Sequence, residues 1–231
     1  MNKFYDYLMA SPVVYYLYNR GSIIYGLTTE KSDIDFIVVV DETFVLPQEF
    51  EQYKYDSGRV RKITHNVKFE NQDFIFFTMD EWFKKVMDGD FVAWECACLP
   101  KKFIHKEHVK LLMSTNPLQL RKDFEEWMNL YYLVASQHFR KEEFHKWRKG
   151  LWEIIKRVKL INQIIENHKI VNYKASNPDY MILVENNIAD EAILLKMWLD
   201  LVKDEIGTLN KATDGMLKKE KLKKIVQNDK K

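Results

Sequence analysis

The chain of 231 residues predicts a mixed α/β fold, with a small mixed β-sheet followed by a helical C-terminal half. Three observations predict it. Short β-branched and aromatic runs recur as far as Thr78, too short for helices. After Thr78 the apolar spacing changes from every second residue to every third or fourth. Asn116-Pro117 then interrupts the chain ahead of two long amphipathic segments. The expected division is a first domain over 1–115, a helical domain over 116–210 packing on it, and a lysine-rich tail over 211–231.

Residues 1–11 carry Phe4, Tyr5, Tyr7, Leu8 and Met9, a short amphipathic lead-in read as a helix covering the sheet. Val13 to Tyr18 reads as the first strand, and Gly21-Ser22 turns the chain into a short helical segment bounded by Gly26. Ile34 to Val40 is the second strand. Residues 41–58 are mostly polar and read as a loop beside it. Two further strands are expected around Val60 to Phe69 and Asp73 to Thr78.

Helices follow at Glu81 to Met87, with Asp80 as the expected N-cap, and from Asp90 to Cys98. Phe103 to His105 is a short extended piece. Leu118 to Phe139 and Glu142 to Glu166 are the long helices, and the second has Phe144, Trp147, Leu151, Ile154, Ile155, Val158, Ile161 and Ile165 on one packing face. Its other side carries Lys146, Arg148, Lys149, Lys156, Arg157 and Lys159. Ile188 to Val202 is the last expected helix.

Chemistry concentrates in Arg20 to Val40. Asp33 and Asp35 stand at the head of a strand, and a period of two puts both carboxylates on one face. Two like charges so close are unfavourable unless a cation neutralises them, and a hard, oxygen-ligated ion such as Mg²⁺ does so, commonly together with substrate phosphates. Glycine permits close backbone approach, and the amides and hydroxyl of a Gly21-Ser22 helix start suit a polyphosphate. A phosphate cradle next to a metal clamp is equipment for phosphoryl or nucleotidyl transfer.

The order Gly21, Ser22, Tyr25, Gly26, Ser32, Asp33, Asp35 resembles the catalytic signature of the DNA polymerase beta-like nucleotidyltransferase superfamily. It is most similar to the predicted small bacterial and phage nucleotidyltransferases. The resemblance implies a nucleotidyltransferase core in the first domain. It also implies two Mg²⁺ ions, or Mn²⁺, held by Asp33, Asp35 and a third carboxylate from a neighbouring strand.

Asp73 is the choice for that third acid, ahead of Glu70 and Asp80, because it opens its strand as Asp35 does. Gly21, Ser22 and Tyr25 are the implied nucleotide-binding residues, joined by Lys149 and Lys156, which lie seven apart on one side of their helix. The implied reaction moves a nucleoside monophosphate from a nucleoside triphosphate, ATP foremost, to an acceptor hydroxyl on RNA, protein or a small molecule.

Composition sets the remaining bounds. Apolar residues are 46% and charged ones 30%, an ordinary globular balance, and a net charge of +2 gives no argument for nucleic acid. No apolar run reaches the roughly 20 residues that span a bilayer, and the first residues lack a signal-peptide pattern, so no membrane partner and a cytoplasmic location are expected. Cys96 and Cys98, with no second Cys or His pair nearby, read as reduced core residues.

His105 and His108 read as surface residues. Residues 211–231 hold eight lysines and three acids, a pattern compatible with a frayed helix, a disordered tail or a grip on nucleic acid. Two other function classes stay open: a non-catalytic nucleotide- or partner-binding module on the same fold, antitoxin-like, and a nucleotidyltransferase that modifies RNA ends.

Overall fold

The computed structural model describes residues 3–30, 32–55, 66–185 and 190–228, with backbone alone at Glu191 and 215–228. The chain divides into two compact units: Met1–Asp88 with Val92–Met113, and Gly89–Phe91 with Ser114–Lys231.

The first unit is built on a mixed six-stranded sheet. Helix α1 (Lys3–Ala10) leads into β1 (Val14–Arg20), the short α2 (Ser22–Tyr25) and β2 (Ile34–Val40). A 3₁₀ turn over Gln48–Tyr53 leads into β3 (Lys54–Tyr55), and β4 (Asn66–Phe69) and β5 (Gln72–Thr78) follow. The expected strand around Val60 lies partly outside the described residues. Helices α3 (Met79–Asp88) and α4 (Phe91–Ala97) precede β6 (Ile104–Glu107). The strand order is β3-β4-β5-β2-β1-β6, with β2 and β5 parallel and every other pairing antiparallel.

Alternation along the strands sends two apolar sets to opposite faces. Phe36, Val38, Val40, Phe74 and Phe76 face a cluster that includes Phe4 and Leu8 of α1 and Phe50; Phe4 meets Phe74 edge-on with centroids 4.9 Å apart. On the other face, Phe77 and Tyr18 pack against the fully buried Trp82 of α3. Asp35 and Asp73 share the parity of this second face.

Helix α3 begins earlier than expected, and its cap is Thr78. The Glu81 carboxylate accepts from the Thr78 N–H at 3.0 Å and the Glu81 N–H donates to Thr78 Oγ1 at 3.3 Å, a reciprocal capping box. Asp80, whose N–H donates to Glu42 at 2.9 Å, sits inside the first turn. His105 is also not the surface residue expected. It is half-buried on β6, bonded to Tyr5 Oη at 2.9 Å and to Asn19 Oδ1 at 2.7 Å, and burial holds its pKa below the usual value. Cys96 is buried and Cys98 partly so, and no disulfide joins them.

The second unit is helical: α5 (Pro117–Arg140), α6 (Phe144–Asn167), the short α7 (Asn177–Tyr180), a π-turn over Met181–Glu185, and α8 (Glu191–Asn228). The Asn116 side chain caps α5 by accepting from Gln119 N–H at 3.2 Å, with Pro117 in the first turn. Of the expected packing face of α6, Trp147, Leu151, Ile154, Ile155, Val158 and Ile161 are buried, whereas Phe144 in the first turn is exposed and Ile165 near the end only partly buried. Trp152 and Trp198 donate their indole N–H groups to the Ser176 and Leu151 carbonyls, each at 2.9 Å. Helix α8 runs through residue 211 without a break, far beyond the expected end at Val202. Among the described residues no helix is long and apolar enough to cross a membrane.

Candidate active site

Cross-strand pairing sets four charged residues in one row over four neighbouring strands. Lys68 of β4 is the register partner of Asp73 on β5, Asp73 of Asp35 on β2, and Asp35 of Arg20 on β1. Partners directly opposite in a ladder share a face, so the row reads plus, minus, minus, plus across the sheet. Asp33 precedes β2 by one residue and is more exposed.

The row continues into hydrogen bonds. Lys68 Nζ lies 2.6 Å from Asp33 Oδ2. That bond raises the Lys68 pKa, against an opposing effect of burial and with help from the negative charges of Asp33, Asp73 and Asp35. The Tyr55 hydroxyl donates to both oxygens of Asp73, at 2.6 and 2.8 Å. Burial first, and then that hydrogen bond, push the Tyr55 pKa well above the ordinary tyrosine value. The Lys68 ammonium thus bonds Asp33 directly and feels the charges of Asp73 and Asp35.

Gly21 lies immediately against Asp35. Its φ of 73° belongs to the region that only glycine enters cheaply. A Cβ built there would stand 1.9 Å from Asp35 Oδ2, so the missing side chain is the space in which the carboxylate rests. Ser22 opens α2 and is partly exposed.

Tyr25 is 1% exposed and donates its hydroxyl to the buried Glu95. Glu95 also faces Arg20 across 3.7 Å. Tyr25 thus steadies the arginine end of the row from inside the core.

In the second unit, Lys149 of α6 is exposed, whereas Lys156 is buried, 2.6 Å from Glu153 and with its ammonium 4.8 Å from the Trp152 ring. The side of α6 read as a basic face is also only partly solvated. Arg157 is buried with its guanidinium 4.3 Å from the rings of both Phe91 and Trp127.

Lys68, Tyr55, Arg20 and Glu95 are site residues that the sequence reading did not assign. Arg20 opens the Arg20 to Val40 segment, and Lys68 occupies the exposed position between Val67 and Phe69, which marks it as outward-facing but not as a partner of the acids.

Among the described residues no three His, Cys, Asp or Glu side chains are gathered as a ready-made metal cluster. The donor set nevertheless fits a hard divalent ion: three carboxylates on adjacent strand ends, an all-oxygen set, and a glycine that leaves one of them room.

No protein-family model and no curated protein sequence matches the chain. Among solved structures, it is similar to a nucleotidyltransferase-like protein from Exiguobacterium sibiricum at 9% identity and a TM-score of 0.37, covering 93% of this chain and 77% of that one. It is also similar to a spectinomycin adenyltransferase from Enterococcus faecialis, solved with ATP and spectinomycin. There the identity is 11% and the TM-score 0.39, covering 89% of this chain and 92% of that one.

Proposed function

We propose that the chain is a nucleotidyltransferase that moves a nucleoside monophosphate from a nucleoside triphosphate, ATP foremost, to an acceptor hydroxyl and releases pyrophosphate. One observation carries this reading: Asp35 and Asp73 face each other directly across two parallel strands. Like charges in that position oppose one another, and a divalent cation between them would relieve the repulsion more fully than the flanking Lys68 and Arg20 do.

Asp33, Asp35 and Asp73 would hold Mg²⁺ or Mn²⁺, which when bound neutralises phosphate charge and makes the acceptor hydroxyl easier to deprotonate. Asp73 would take the acceptor proton, its oxygens exchanging the Tyr55 hydroxyl for that of the acceptor. Gly21 borders the Asp35 carboxylate, and it and Ser22 would offer backbone amides and a hydroxyl to the β- and γ-phosphates. Arg20, steadied by Glu95, sets a fixed positive charge at the far end of the row.

The test combines purified protein, Mg²⁺ and each labelled triphosphate with candidate RNA, protein and small-molecule acceptors. Transfer by the natural chain and its loss in a folded Asp35→Asn variant support the reading; equal transfer in that variant refutes it. Intact-mass measurement after incubation in cell extract identifies donor and acceptor together.

The Lys68–Asp33 and Tyr55–Asp73 contacts favour a second reading, because they satisfy carboxylates without any metal. A non-catalytic partner-binding module on this fold has the same need. Calorimetric titration with ATP separates the two, since only the enzyme gains nucleotide affinity when Mg²⁺ is added.

A further inference from the structure

We infer that Lys68 is the resident counter-ion of this site, holding the three acids together while divalent metal is absent and yielding its place when metal enters. The inference rests on the nucleotidyltransferase reading and adds a residue to it. Three placements support it. Lys68 is the register partner of Asp73, and its ammonium reaches across 35 residues of sequence to Asp33 at 2.6 Å. It therefore bonds one acid and shares a ladder position with another. Its side chain is also 52% exposed, so the ammonium can leave for solvent without stranding a buried charge.

A lysine kept only for stability is built differently in this chain. Lys159 is 21% exposed and set 2.7 Å from Asp179, which is itself 5% exposed. Lys68 has the flexible stem and the solvent path that an exchangeable cation requires. Ammonium and metal would then compete for the same carboxylate oxygens, and metal affinity is set partly by how easily Lys68 lets go. Lysine suits such exchange better than arginine, whose planar fork grips a carboxylate with two parallel bonds.

The probe is Mn²⁺ alone, with free ion counted by electron paramagnetic resonance, on the full chain and on Lys68→Met and Lys68→Arg. Lys68→Met is expected to bind Mn²⁺ roughly tenfold more tightly than the natural chain, and Lys68→Arg no more tightly. The metal-free melting temperature of Lys68→Met is expected to fall and to recover on adding Mn²⁺. If Lys68→Met fails to fold without metal, refolding in Mn²⁺ but not in NaCl of equal ionic strength supports the same inference. Binding by the natural chain with equal or weaker binding by folded Lys68→Met overturns it and leaves the nucleotidyltransferase reading standing. No Mn²⁺ binding by either folded protein overturns the metal reading and the inference together.

Discussion

The two units treat charge in opposite ways. In the helical unit, charge is matched as it is buried: Lys156 with Glu153, Lys159 with Asp179, and Arg157 between two aromatic rings. In the sheet unit, two carboxylates are set directly opposite one another and a third lies beside them. The first arrangement serves the fold. The second sets like charges against each other, and Lys68, Arg20 and the Tyr55 hydroxyl offset them.

That contrast can be broken by substitution. The largest expected effect is on activity: Asp35→Asn should reduce nucleotidyl transfer on the order of a thousandfold. The same change should leave the metal-free melting temperature unchanged or higher, because it removes one of two opposed charges; a clear fall would erase the contrast. Gly21→Ala should destabilise by about 3 kcal/mol in denaturant titration, from positive φ and eviction of the Asp35 carboxylate, and should lose transfer as well.

In the helical unit, Asp179→Ala leaves Lys159 without its nearest partner and should cost about 2 kcal/mol with unfolding read at neutral pH. Thr78→Ala, which removes the hydroxyl half of the capping box, should cost about 1 kcal/mol.

The smallest effect is a pH slope. Burial lowers the His105 pKa from 6.5, so the unfolded chain takes up the proton first as the solution is acidified. His105 stabilises fully above pH 6.5, and that contribution is lost as pH falls through its folded pKa. Melting curves of the natural chain and His105→Gln between pH 7 and 5 should converge toward acid.

The sheet and the acids were legible because strands of Ile, Val and Phe leave a period-two pattern that tolerates few other readings. The same pattern placed Asp33, Asp35 and Asp73 at strand heads, which is where the structure has them, with Asp35 and Asp73 as register partners. Lys68 and Tyr55 were not legible, since their part depends on β4 pairing with both β3 and β5, a long-range register that one strand's pattern does not specify.

The N-cap error at Asp80 was avoidable, because Thr78-x-x-Glu81 is itself a capping-box signature. Helix α8 was underestimated beyond Val202 because its apolar stripe thins out there, although lysine, leucine and glutamate all favour helix. Burial of Lys156 and Arg157 was hidden because long cationic side chains look alike in sequence whether they are solvated or stacked on aromatic rings.

The absent side chain at position 21 also offers a way to sort other proteins. In any chain that shares this segment, replacement of that glycine reports displacement of the neighbouring acid, whatever else is retained. A single column of a future alignment could then separate members equipped for chemistry from those that keep only the scaffold.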